Sequence, residues 1–173
     1  MKIIYYTAVS LDGYIATSDG GVEWLQSIEV PGEDYGYEAF YASVDGLIMG
    51  GNTFRQIQGW GEYPYPGKPA WVLTRQPVEN APSEVTSGPF SPEDVVAQAK
   101  AQELAFLWLV GGGKLAQSFR RAGLLTDYYL TIVPILLGDG IRLLEPGDGT
   151  NSLDLRNTQT YPSGVVQLQY RVR

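Results

Sequence analysis

The sequence predicts an α/β fold, a sheet with helices on its faces, and three observations carry that reading. Short runs rich in Ile, Val, Leu and Tyr alternate with segments of helical spacing or strong helix-start signals. Glycine clusters punctuate the ends of those runs, as at Gly50-Gly51 and Gly111-Gly112-Gly113. The end of the chain offers strands in succession with no helix between them, which adds an antiparallel section. No linker, repeat or low-complexity stretch interrupts residues 1–173, so they are read as one domain.

Taken in order, Lys2 to Val9 is a strand that stops at the turn Ser10-Leu11-Asp12-Gly13. Gly20-Gly21 marks another turn. Asp34 to Ser43 sets Tyr37, Phe40 and Tyr41 at helical spacing. Val44 to Met49 is a short buried-strand pattern, with a second short helix expected through Phe54 to Ile57. Gly59 to Gly67, crowded with Gly, Pro and aromatic residues, reads as an ordered loop. Ala70 to Thr74 and Glu84 to Ser87 are strands. Ser91-Pro92-Glu93-Asp94 combines a capping hydroxyl, proline at the first helical position and acids in the first turn, and the helix it starts should reach Glu103. Ala105 to Val110 is an apolar strand that runs through three glycines into a helix over Lys114 to Ala122, stopped by Gly123. Tyr128 to Val133 and Val165 to Val172 supply the later strands.

Composition removes several functions. The formal charge is −7 and the predicted pI about 4.5, which excludes a non-specific nucleic-acid binder. An anionic ligand must therefore meet a local basic cluster. The absence of both Cys and His excludes thiol nucleophiles, disulfides, Ser-His-Asp triads and the common zinc sites, and no calcium-loop spacing of Asp is present, so no metal is expected. The N-terminus reads as a first strand and not as a signal peptide, and the longest apolar run, Leu104 to Val110, is too short to span a membrane. A cytoplasmic protein is the expectation.

Three strand ends carry anion-friendly groups. Leu107 to Val110 ends in Gly111, Gly112, Gly113 and Lys114, and there the missing Cβ atoms, the free helix N–H groups and the positive dipole end all suit a pyrophosphate. A tight turn with no ligand is the bland alternative. Ile48-Met49 ends in Gly50, Gly51, Asn52 and Thr53, and Val72-Leu73 ends in Thr74 and Arg75. Ligands of open α/β sheets sit at such carboxyl ends. Neither a P-loop nor a Rossmann fingerprint fits. The first needs Gly where Trp108 stands and a hydroxyl where Leu115 stands, and the second needs an early G-x-G-x-x-G that the chain lacks.

The ordered set Ser10-Leu11-Asp12-Gly13-Tyr14-Ile15-Ala16, Met49-Gly50-Gly51-Asn52-Thr53-Phe54, Val72-Leu73-Thr74-Arg75, Val110-Gly111-Gly112-Gly113-Lys114-Leu115 and Pro134-Ile135-Leu136-Leu137-Gly138-Asp139-Gly140 resembles the reductase domain of bacterial riboflavin-biosynthesis proteins. That domain is a branch of the dihydrofolate-reductase fold, and the resemblance covers nearly the whole chain. It implies a dihydrofolate-reductase-like, mixed but mostly parallel sheet of about eight strands, an NADPH-dependent reductase activity, a homodimer and a cis Gly111-Gly112 peptide. Carried over by position, Ala8 and Ile15 would flank the nicotinamide. Gly50, Gly51, Asn52 and Thr53 would contact the pyrophosphate, as would Gly111, Gly112, Gly113, Lys114 and Leu115. Thr74 and Arg75 would take the adenosine end. Dihydrofolate reductases carry Arg where Gly51 stands, which would leave more of the anion grip to Arg75 and Lys114.

On the substrate side the resemblance places Asp12 as the catalytic or anchoring carboxylate, with Tyr14, Trp24, Trp60 and Tyr63 as flat walls. Each has a bland alternative: Asp12 as a turn brace, the aromatics as packing. The riboflavin enzymes carry Lys or Arg where Tyr14 follows Leu-Asp-Gly, so a flat pterin-like or aminopyrimidine-like substrate without a phosphoribosyl group is expected. Its site would lie between the Ser10–Tyr14 and Gly59–Gly67 loops. The competing class is a non-catalytic NADPH-binding or sensor protein that keeps the fold.

Overall fold

The computed structural model describes residues 1–147 and 149–173. Its main sheet has eight strands. In chain order they are β1 (Lys2–Ser10), β3 (Gly46–Gly50), β4 (Ala70–Leu73), β5 (Val85–Gly88), β6 (Phe106–Gly111), β7 (Asp127–Val133), β9 (Leu153–Thr160) and β10 (Val166–Val172). Two short strands, β2 (Tyr14–Ala16) and β8 (Ile141–Arg142), form a separate antiparallel ribbon. The helices are α1 (Tyr37–Ser43), α2 (Gly51–Gly59), α3 (Pro92–Ala101) and α4 (Gly113–Arg121), with a 3-10 helix over Glu23–Ile28. The order across the sheet is β5-β4-β3-β6-β1-β7-β10-β9, and every pairing from β5 to β7 is parallel, with β10 antiparallel to both β7 and β9. The mixed, mostly parallel α/β sheet is as predicted.

The central strands are apolar throughout because both faces are covered. Alternate residues divide between two layers. Ile3, Tyr5, Ile48, Leu107 and Leu109 pack under Val95 and Ala99 of α3 and Ala116 and Phe119 of α4. Ile4, Leu47, Met49, Val72 and Trp108 pack under Phe40 of α1 and Phe54 and Ile57 of α2. The predicted capping hydroxyl at α3 is present and is part of a capping box: the Ser91 hydroxyl accepts from the Asp94 N–H at 3.1 Å, and the Asp94 carboxylate accepts from the Ser91 N–H at 2.8 Å.

Two elements differ from the sequence reading. The second helix starts at Gly51, three residues before Phe54, because the glycines after β3 enter the helix directly. β9, at one edge of the sheet, was not anticipated, because its Leu153-Asp154-Leu155 start is too short an alternation to stand out. β7 lies inside the sheet, between β1 and β10. Among the described residues no helix is long and apolar enough to cross a membrane.

The topology positions a site. β6 enters the sheet between β1 and β3, and all three run parallel, so their carboxyl ends share one edge. The helix after β3 covers one face and the helix after β6 the other. A crevice opens where the chain departs to opposite sides.

Candidate active site

Two helix N-termini open into that crevice. α2 begins behind Gly50 and α4 behind Gly112, and neither cap residue offers a side chain to the free N–H groups. The backbones lie close: a Cβ added to Gly50 would fall 3.8 Å from the Gly111 carbonyl oxygen. Thr53 Oγ1 sits 3.9 Å from the Cβ positions of both Gly111 and Gly112, and Ile15 Cδ1 lies the same distance from that of Gly112. The Gly111-Gly112 peptide is cis, as the resemblance implied.

The resulting cleft has a volume of about 1530 Å³. It brings together all thirteen residues expected at the cofactor: Ala8, Ile15, Gly50, Gly51, Asn52, Thr53, Thr74, Arg75, Gly111, Gly112, Gly113, Lys114 and Leu115. Four of the chain's 12 cationic side chains line it, Arg55, Arg75, Lys114 and Arg142, alongside Asp19, Glu23 and Glu145. That is the local basic cluster an acidic protein needs in order to hold an anion.

Arg55 was not anticipated. A Cβ on Gly51 would fall 2.7 Å from Thr74 Oγ1 and 3.3 Å from an Arg55 guanidinium nitrogen, and the other terminal nitrogen donates to Asn52 Oδ1 at 2.7 Å. The Arg55 guanidinium thus lies over the backbone at position 51 from one helical turn later. The i, i+4 spacing from Gly51 to Arg55 could have revealed it. Arg142 gave no local signal, since it arrives on the β2–β8 ribbon with its guanidinium 5.7 Å from the Tyr14 ring centroid.

A second cleft of about 820 Å³ adjoins the first, and Thr7, Ala8, Leu25 and Val110 line both. Its walls are Tyr6, Tyr35, Tyr37 and Trp108, with Glu29, Glu33 and Asp34 among its polar lining. Burial, with the neighbouring Tyr41 and Tyr6 hydroxyls, pushes Tyr37 up to about 12, so it stays protonated at neutral pH and can donate a hydrogen bond.

None of the residues expected on the substrate side lines this second cleft. Asp12 accepts from the Ser10 hydroxyl at 2.6 Å and from the N–H groups of Gly138 at 2.7 Å and Leu137 at 3.1 Å, so it braces two loops and faces neither cleft. Tyr14 packs under Arg142 on the ribbon. Trp24 is buried with Ile28, Val133 and Val165, and Tyr63 packs against Phe54 and Tyr65. Trp60, 61% exposed, reaches the larger cleft only. The second cleft is lined instead by residues of the segment 28–37, of which the sequence marked only the start of a helix.

Asp12 gives a pH-dependent prediction. The Ser10 hydroxyl, and then the Gly138 and Leu137 N–H groups, hold its carboxyl below the ordinary range. A depressed native value stabilises the fold above the unfolded pKa of about 3.9, and that stabilisation is lost as pH falls through the lower native value. Asp12→Asn cannot accept all three donors, so its Tm should fall below wild type at neutral pH, and the gap should close in acid. A gap that stays constant between neutral and strongly acidic pH would contradict the bracing role.

A mostly parallel eight-stranded sheet with flanking helices, two of whose uncapped N-termini meet at one edge, is a riboflavin-reductase-like fold. The chain belongs to the RibD C-terminal domain family, whose model matches residues 1–167. It is 32% identical over 170 residues to the uncharacterised protein YwjB of Bacillus subtilis (strain 168), covering 98% of this chain and 97% of the relative. A second uncharacterised Bacillus subtilis protein, YyaP, is 28% identical over 186 residues. Among solved structures, a protein from Shewanella sp. PV-4 named for riboflavin biosynthesis superposes with a TM-score of 0.89 at 30% identity, covering 100% of this chain and 99% of that one. The Thermotoga maritima deaminase/5-amino-6-(5-phosphoribosylamino)uracil reductase superposes at 0.75 over 99% of this chain and 56% of its own, and at 12% identity it shows the fold alone.

Proposed function

We propose that this chain is an NADPH-dependent reductase acting on a flat, polar heterocycle of pterin-like or aminopyrimidine-like character. The observation that carries the reading is the shared floor of the two clefts. An anion-binding crevice and an aromatic-walled crevice meet at Thr7, Ala8, Leu25 and Val110. A dinucleotide laid along the first would bring its reactive ring to the second.

The residues present fit that cofactor. The uncapped ends of α2 and α4 offer N–H donors to a pyrophosphate, and Arg55, Lys114 and Arg142 offset its charge. Thr74 and Arg75 stand on the far strand β4, where they suit the adenosine end. NADPH, when bound, supplies the hydride. The protein contributes orientation and shielding from water: Ala8 and Ile15 fix one face, and Trp108 and Tyr37 wall the acceptor side. The test is loss of NADPH absorbance in the presence of dihydrofolate, dihydropterins and the phosphorylated riboflavin precursor. Oxidation with at least one unphosphorylated ring supports the reading, and tight NADPH binding without turnover of any ring points to the non-catalytic alternative.

A homodimer is part of the same proposal. β9 leaves the sheet edge open, with Leu155 53% and Leu153 38% exposed, and a second copy would cover them. Light scattering should give twice the 19.0 kDa chain mass. A mass equal to one chain at micromolar concentration would reject it.

A further inference from the structure

One side chain joins the floor of the aromatic cleft to its wall. Ala8, Thr131 and Gln167 stand abreast on β1, β7 and β10. Ala8 and Thr131 line the cleft, and Thr131 is only 6% exposed. Gln167 Nε2 donates to Thr131 Oγ1 at 3.1 Å and to the carbonyl of Tyr35, a wall residue, at 2.6 Å. Its Oε1 accepts from the Tyr161 hydroxyl at 2.9 Å. We infer that Gln167 is a positioning residue that makes the floor of this cleft a hydrogen-bond donor, so that the ring it receives presents an oxo group there. The inference rests on the proposed reading that this cleft is the substrate side.

The Tyr35 carbonyl fixes which way the Gln167 amide faces. A backbone carbonyl can only accept, so the amide nitrogen must meet it, and the second N–H then falls to Thr131. Turned over, the amide would set two oxygens against each other 2.6 Å apart. Thr131 therefore spends a lone pair on Gln167 and keeps its own proton.

Thr131 shares the floor with Tyr6, which lines the same cleft and whose ring is held against Phe40 at 4.2 Å. Burial raises the Tyr6 phenol above its ordinary value, and a hydrogen bond with the Thr131 hydroxyl opposes that rise without cancelling it, so Tyr6 is protonated at neutral pH. The two hydroxyls hold two protons. One serves the bond between them, and the other has no acceptor among the described residues. That second proton is what the floor offers a ligand. An oxo oxygen can take it, whereas an amino group at the same place would set donor against donor. With the amide reversed, its oxygen would draw the Thr131 proton and leave the pair none to give.

Calorimetry on the full chain, with and without NADPH, compares 2,4-dioxopteridine with 2,4-diaminopteridine at a pH where both rings are uncharged. Each ring carries the same group at both positions, so the comparison holds whichever of the two reaches the floor. The dioxo ring should bind roughly 3- to 10-fold more tightly, the range of one hydrogen bond between neutral groups. Tyr6→Phe combined with Thr131→Val removes both hydroxyls with little change of shape and should bring the two affinities together. Gln167→Glu keeps the size of the side chain but replaces the donor with an acceptor, so it should erase or reverse the preference. A purely structural Gln167 would weaken both rings by the same factor and leave their ratio unchanged. Equal affinities or a preference for the diamino ring in the wild type, no detectable binding of either ring, or a ratio that survives the double variant or Gln167→Glu would overturn the inference. If Gln167→Glu does not fold, the double variant decides. NADPH binding is read separately by its fluorescence, since neither Tyr6 nor Thr131 lines the larger cleft. Its absence in the wild type would remove the reductase reading while the ratio of the two rings still decided the polarity of the floor.

Discussion

Arg75→Ala is expected to weaken NADPH binding by roughly 10- to 150-fold, the equivalent of losing a charge-assisted bond of about 1.5–3 kcal/mol, while NADH binding barely changes. The reason is position. Arg75 follows β4, one strand farther from the β1–β6 centre than the α2 N-terminus, so it suits the 2′-phosphate that distinguishes the two cofactors. Arg55 supplies the contrast. Its guanidinium lies over Gly51 and Asn52, at the helix end that faces the pyrophosphate both cofactors share. Arg55→Ala should therefore weaken NADPH and NADH alike. Fluorescence titration of the two cofactors against both variants separates the roles, and equal losses of both cofactors in Arg75→Ala would remove its assignment.

Gly113→Val is expected to lower Tm by roughly 2–12 °C and to abolish cofactor binding. The Tm range follows from about 1–3 kcal/mol of overpacking in a chain of this size. A Cβ at Gly113 would run into the Arg142 carbonyl oxygen and lie 3.1 Å from that of Leu143, and these are backbone atoms that cannot swing aside. The segment pushed away is the one that brings Arg142 to the crevice and hydrogen-bonds back through Leu143 N–H to the Gly13 carbonyl at 2.9 Å. Gly59→Ala is the control. It also sits in a helix, at the end of α2, but nothing lies within 4 Å of its added Cβ, so it should leave Tm unchanged or slightly raised. If both variants melt like the wild type, the close approach of the 142–143 segment to α4 is not a constraint on the fold.

The two predictions draw on different kinds of legibility. Arg75, Lys114 and the glycines after β3 and β6 were readable because each lies directly at a strand end, where sequence adjacency and spatial adjacency coincide. Parallel strands then carry those ends to one edge, and the larger cleft assembles from them. The aromatic cleft follows the opposite rule. Tyr35 lies outside any helix or strand and Tyr37 opens α1, and it is long-range packing, Tyr35 against Tyr161 and Tyr37 against Trp108, that makes them a wall. Asp12 shows the same limit from the other direction. Its Leu-Asp-Gly setting marks a turn correctly, yet its two N–H donors lie 125 and 126 residues away.

By itself, the sequence determined the alternation of strands and helices, the capped start of α3, the glycine-lined strand ends and the membership of a reductase-like family. All of these depend on local periodicity, turn chemistry and short motifs. The tertiary structure decided what depends on long-range closure: that β7 is internal, that Arg142 reaches the larger cleft on the β2–β8 ribbon, and that Asp12 braces two loops. It also decided that the charged residues lining the aromatic cleft are all acidic. A carboxylate's role is set by which donors reach it, and two of Asp12's donors, the Leu137 and Gly138 N–H groups, come from a loop that only the folded sheet brings near.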